Sequence, residues 1–191
     1  MSKYVKVIKN LKYDLDTLIL ELDNLYPAEI YSPDQVNDLS YQSFPLAYTY
    51  HKNITNLPQH IKQAIEESIN YPLMDYFFLW DWRDSTDVLE PHMDPIVKEG
   101  FNGIRARISM FVCLDGIFQL NFHDSNTKEI VESVTYSPGD IVVLNNTQAI
   151  HSGKLLSGSK RALAGYLETS EINNITDQLP FVSIEELLYV N

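Results

Sequence analysis

The tetrapeptide Pro91-His92-Met93-Asp94 sets an imidazole and a carboxylate two residues apart; a second histidine, His151, follows downstream, and Arg161 lies ten residues beyond it. On a strand, residues i and i+2 project from one face, so His92 and Asp94 can reach a single metal ion together. His151 can supply the third ligand from another strand. Two histidines and one carboxylate on one face of an octahedron leave three positions open, the arrangement associated with non-haem Fe(II) and oxygen activation.

Such ligands need a rigid frame, and the chain supplies helices first and strands later. Leu11, Leu15, Leu18, Leu22 and Leu25 recur at three- and four-residue intervals and draw one apolar helix face. Residues 31–57 read as loop, with a short strand near Ala47–Tyr50. A second helix begins at Pro58, carries Ile61, Ala64, Ile65 and Ile69 on one side, and stops at Pro72. Strands follow at Tyr76–Trp82, Ile104–Leu114, Ile117–Phe122, Glu132–Tyr136, Ile141–Leu144 and Arg161–Leu167, with Asp115-Gly116 and Ser157-Gly158-Ser159 read as turns. Many short strands with frequent turn signals predict a sandwich or barrel. Ser183 and Glu186 have capping-box spacing and predict a short terminal helix. The expected organisation is one domain over 1–191: helical support over 1–73, a β core over 74–170, and a tail with a short helix over 171–191.

The long strand has two different faces. Ile104, Ala106, Ile108, Met110, Val112 and Leu114 make one apolar side, which the two helical stripes can cover. Arg105, Arg107, Ser109, Phe111 and Cys113 make the other, which is expected to face a cleft. Arg107 and Arg105 are candidates for an anionic substrate there, with Phe111 and Trp82 as further pocket residues.

Composition narrows the field. A chain of 191 residues with 45% hydrophobic and 21% charged residues can bury a core as a soluble globular protein. The net charge of −12 argues against a nucleic-acid or anionic-membrane surface, because phosphate binding needs a basic face. No long apolar run is present, so no membrane association is expected. A single cysteine, Cys113, excludes an internal disulfide and suits a cytoplasmic location. Nucleotide-binding glycine loops, nucleophile elbows and Cys-x-x-Cys pairs are absent from the sequence.

With these residues in view, the chain resembles the 2-oxoglutarate and Fe(II)-dependent oxygenases, and most of all their prolyl-hydroxylase-like group. The resemblance rests on His92-Met93-Asp94, His151 and Arg161, on Arg-Ile-Ser-Met-Phe-Val-Cys-Leu at 107–114, and on Gly-Asp-Ile-Val-Val-Leu at 139–144. It covers roughly residues 75–170. It implies a mostly β protein with N-terminal helices and a double-stranded β-helix core of the jelly-roll or cupin-like kind. It implies Fe(II) held by His92, Asp94 and His151, with 2-oxoglutarate as cosubstrate and O2 as oxidant. Arg161 would grip the distal carboxylate of 2-oxoglutarate, a task that suits a planar guanidinium. Many relatives place a serine two residues after this arginine; here Leu163 stands there, so Ser109 or Tyr76 would provide the second contact.

The implied activity is hydroxylation of a small molecule or of a protein or peptide side chain, with release of succinate and CO2. Halogenating relatives have Ala or Gly where this chain has Asp94, and nucleic-acid demethylating relatives have a second arginine where this chain has Leu167. Two other readings compete. One is a non-catalytic double-stranded β-helix that serves as a binding or assembly module. The other is a cupin-like metal enzyme that does not use 2-oxoglutarate and needs no carboxylate clamp. No sequence pattern specifies an oligomeric state.

Overall fold

Asp14 starts the first helix, α1 (Leu15–Leu25), by accepting a hydrogen bond from the Thr17 backbone N–H at 2.9 Å. The second, α2 (Gln59–Ile69), follows Pro58 and ends at Asn70 in the left-handed conformation, two residues before Pro72. α2 is as expected, down to its buried Ile61, Ala64, Ile65 and Ile69, whereas Leu11 of the expected first-helix stripe precedes α1 and Leu25 is half-exposed. The structure is a computed structural model that describes residues 2–27, 49–54, 56–82, 88–93, 108–146 and 148–168, with Ile184 and Leu188.

The strands are β1 (Val5–Ile8), β2 (Thr49–Ile54), β3 (Leu73–Trp82), β4 (Val88–His92), β5 (Ser109–His123), β6 (Ile130–Tyr136), β7 (Ile141–Leu144) and β8 (His151–Leu167). Every pairing is antiparallel. The long strands β5 and β8 run side by side through two sheets. Their Ser109–Cys113 and Ala162–Tyr166 halves pair with each other, with β7 and β1 on one side and β3 and β2 on the other. Their Ile117–Phe122 and His151–Ser157 halves pair again, flanked by β6 and β4. Two facing sheets that share a bent strand pair make a double-stranded β-helix.

The bend depends on two glycines. Gly116 and Gly158 have φ of +79° and +74°, where a side chain is disfavoured. A Cβ on Gly116 would lie 2.3 Å from the Ser159 carbonyl oxygen, and one on Gly158 would lie 2.9 Å from the Gly116 Cα. The strands therefore cross the corner in direct backbone contact. Asp115 closes it, accepting from the Gly116 N–H at 2.7 Å and the Ser159 hydroxyl at 2.5 Å. Asp115-Gly116 and Ser157-Gly158-Ser159 are thus corners inside continuous strands, not the turns between strands that the sequence suggested. The first 73 residues also contribute β1 and β2 to the sheet beside the two helices.

Two apolar layers result. On the helix side, Leu18, Leu22, Ile61 and Ile65 pack on Ile108, Met110, Val112, Leu114, Leu163 and Leu167, joined by Ile184 and Leu188. Each fully buried aliphatic side chain there contributes about 1.5–3 kcal/mol. Between the sheets, Phe111, Cys113, Ala162 and Ala164 of one meet Phe118, Leu120, Phe122 and Leu155 of the other. The expected division of the long strand holds from Ile108 to Leu114. Ile104, Arg105, Ala106 and Arg107 lie outside the described residues, as does the capping pair Ser183 and Glu186. No helix among the described residues is long and apolar enough to cross a membrane.

Candidate metal centre

An irregularity in β4 sets His92 beside His151. Leu89 pairs with Gly153 but His92 pairs with His151, so β4 carries one extra residue between these rungs. Pro91 lies in this bulge, where its missing N–H costs no ladder hydrogen bond. The result is a rung across three strands: His92 on β4, His151 on β8 and Phe122 on β5.

The two imidazole rings are adjacent, with centroids 4.4 Å apart, and Phe122 lies on the far side of His151 at 6.5 Å. Tyr4 stacks on Phe122 at 5.3 Å and 8°. Each histidine uses the same local device. His92 Nδ1 lies 2.6 Å from the Glu90 carbonyl oxygen, and His151 Nδ1 lies 3.1 Å from the Ala149 carbonyl oxygen. A carbonyl only accepts, so each Nδ1 donates, and in the neutral ring Nε2 is then the nitrogen that can ligate a metal. The donor chemistry fits a divalent cation. Asp94 lies outside the described residues, and no group of three candidate ligands occurs among those described.

Asn145, fully buried, donates from Nδ2 to Gln148 Oε1 at 2.9 Å, and its N–H donates to the Tyr4 carbonyl at 3.0 Å. His123 is structural instead. Its Nδ1 donates to the Lys128 carbonyl at 2.9 Å, so its Nε2 accepts from the Ser152 hydroxyl at 2.8 Å.

The remaining candidates fall on two faces. Ser109 is 2% exposed and pairs in register with Tyr166, while Phe111 faces the interior layer. Tyr76, Phe78 and Tyr166 form a ring cluster with centroids 6.1–6.4 Å apart. Burial pushes the Tyr76 phenol above its ordinary range. Tyr166 was not singled out from sequence; its alternation with Ala164 and Ala162 on an inward face was the available signal. Arg161 lies elsewhere. Its guanidinium is bonded to Asp23 of α1, on the helix side with Leu163, while its neighbour Ala162 faces inward. The expectation from sequence has Arg161 reaching into the cleft; here its guanidinium meets Asp23. Trp82 sits on β3 opposite Lys160, with its side chain outside the described residues, as are Arg105 and Arg107.

No family model matches the sequence, and no curated protein is detectably similar to it. Solved structures do share its architecture. OsALKBH1 superposes with a TM-score of 0.62 at 12% identity, over 87% of this chain and 99% of that one. A prolyl hydroxylase from Trichoplax adhaerens, in complex with a hypoxia inducible factor oxygen degradation domain peptide fragment, gives 0.59 at 12% identity, over 92% and 88%. The viral collagen prolyl hydroxylase of Paramecium Bursaria Chlorella virus-1, as a 2-oxoglutarate complex, gives 0.54 at 10% identity, over 86% and 95%. The fold is therefore one that 2-oxoglutarate and Fe(II)-dependent oxygenases share; at these identities the likeness is one of architecture.

Proposed function

We propose that the protein is an Fe(II)- and 2-oxoglutarate-dependent dioxygenase that hydroxylates a small molecule or a protein side chain. The observation that carries this reading is the His92–His151 pair, both rings held with Nδ1 on a carbonyl two residues upstream. Asp94, two residues past His92, completes a two-histidine, one-carboxylate set in the His-x-Asp pattern. When bound, Fe(II) and 2-oxoglutarate supply the oxidative decarboxylation to succinate and CO2 that drives hydroxylation. The chain's own residues orient the ligands through the Glu90 and Ala149 carbonyls and keep water out with Phe111, Phe118 and Phe122. The peptide bound to the Trichoplax neighbour makes peptides a sensible first substrate screen.

Anaerobic thermal unfolding with Mn(II), and then with 2-oxoglutarate added, tests this. A ligand at 100 times its Kd stabilises the folded form by about 2.7 kcal/mol, roughly 5–10 °C for a chain of this size. His92→Ala and His151→Ala should each abolish the Mn(II) shift. Wild-type protein that ignores Mn(II) refutes the metal site. A second reading is favoured by one observation: the Arg161 guanidinium is on Asp23, and a cupin-like metal enzyme that does not use 2-oxoglutarate needs no carboxylate clamp. A Mn(II) shift with no further response to 2-oxoglutarate selects that reading.

A further inference from the structure

Resting on the metal-site reading above, we propose that Tyr4 is a positioning residue of the metal centre: its ring and its carbonyl together fix how His151 presents Nε2.

Tyr4 stands just ahead of β1, far in sequence from the histidine it serves, and two measured paths join them. The first runs through rings. Tyr4 stacks on Phe122 with centroids 5.3 Å apart and planes 8° from parallel. Phe122 lies 6.5 Å from His151, which in turn lies 4.4 Å from His92. The rings form one row across the N-terminal segment, β5, β8 and β4. Phe122 is fully buried in that row, and Tyr4 closes the end of it opposite His92.

The second path runs through hydrogen bonds. The Asn145 N–H donates to the Tyr4 carbonyl at 3.0 Å. The Asn145 side chain then engages Gln148 twice: Nδ2 donates to Gln148 Oε1 at 2.9 Å, and Oδ1 accepts the Gln148 N–H at 3.2 Å. Ala149 is the next residue, and its carbonyl accepts from His151 Nδ1 at 3.1 Å. The carbonyl that orients the His151 ring is therefore one peptide away from a residue tied back to Tyr4. Partners of this kind orient a ligating imidazole and tune metal affinity without touching the metal.

Tyr4 is itself held on several sides. Ser2 Oγ accepts from the Tyr4 and Val5 N–H groups at 3.0 and 3.1 Å and donates to Glu132 of β6 at 2.7 Å. The Lys3 carbonyl accepts from the Ile184 N–H at 3.0 Å, and Val5 pairs with Leu144 of β7. Packing alone would need only the ring of Tyr4. Here the carbonyl of the same residue anchors the second support of the same histidine.

Anaerobic calorimetry of Mn(II) binding tests the role without substrate or turnover, and the visible absorption of the Co(II)-loaded protein records ligand geometry. Tyr4→Ala removes the stacked ring, and Asn145→Ala removes the bonds to Gln148. Each should weaken Mn(II) by roughly tenfold and alter the Co(II) bands. Tyr4→Phe keeps the ring and should restore both to wild-type values. Ile65→Ala, on the helix side of the sheet, controls for lost stability and should change neither. Where Tyr4→Ala or Asn145→Ala does not fold, Tyr4→Leu or Gln148→Ala makes a smaller cut on the same path, with the same expectation. Wild-type affinity and bands in either folded variant overturn the assignment. So does failure of Tyr4→Phe to restore them, or an equal loss in Ile65→Ala; the metal site stands in all three cases. Wild-type protein that ignores Mn(II) overturns the metal site itself, and the role of Tyr4 with it.

Discussion

Replacing Gly116 by alanine puts a methyl group where two backbones already touch. The residue has φ of +79°, and the new Cβ would sit 2.3 Å from the Ser159 carbonyl oxygen and 2.8 Å from its carbon, atoms that cannot rotate away as a side-chain tip could. Left-handed backbone costs a residue with a Cβ about 1–2 kcal/mol. Forcing the backbones apart adds about 1–3 kcal/mol by analogy with overpacked cores. The sum, about 2–5 kcal/mol, should lower the thermal midpoint by roughly 5–15 °C for a domain of this length. Gly139 provides the control. Its φ is +86°, but a Cβ there meets only Leu15 Cδ2 at 3.9 Å, so Gly139→Ala carries the backbone strain without the clash. Thermal and urea unfolding of the two variants therefore isolate the steric part as their difference, about 1–3 kcal/mol. Equal losses in the two variants would show that the corner relaxes freely and that backbone contact does not hold the two sheets together.

Other substitutions test separate parts of the argument. Ile65→Ala empties a fully buried site under α2 and should cost about 2–5 kcal/mol in urea unfolding, whereas Leu20→Ala, at an exposed position on α1, should change little. His123→Ala should destabilise the protein, since both ring nitrogens are engaged by Lys128 and Ser152, yet leave the Mn(II) thermal shift intact; loss of that shift would make His123 part of the metal site. Hydrogen bonds from Tyr13 and His60 hold the Glu21 carboxyl below its ordinary range. A depressed folded pKa gives stability that is present above the unfolded value and lost as pH falls through the folded one. Tyr13→Phe should therefore flatten the acid limb of a stability–pH profile, and an unchanged limb would assign the acid sensitivity to other carboxylates.

The parts of this fold that depend on local periodicity could be read from the chain. Leu18 and Leu22, or Ile61, Ala64 and Ile65, fall at helical spacing, and the alternation from Ile108 to Leu114 marks a strand with a covered face. β1 escaped because four residues interleaved with lysine become a strand only through pairing with β7. Asp115-Gly116 carries the same local signal whether the chain reverses or merely bends. What decides is that β8 bends at Gly158 against the same point, a contact between distant residues.

Arg161 shows how such a corner changes a functional reading. Counting along an ideal strand from the inward His151, every second residue points inward, and position 161 would join them. The register contradicts that count: from Leu155, which pairs with Phe118, to Ala162, which pairs with Cys113, β8 takes seven steps, an odd number, so its inward positions change from odd to even, as those of β5 change over its five steps. A one-residue slip exchanges the faces of a strand. It gives Arg161 to Asp23 and the interior to Tyr166. Residue type and spacing name the groups that can do chemistry, while bulges decide which of them meet. The two histidines meet across β4 and β8 through just such an irregularity, the extra residue between Leu89 and His92.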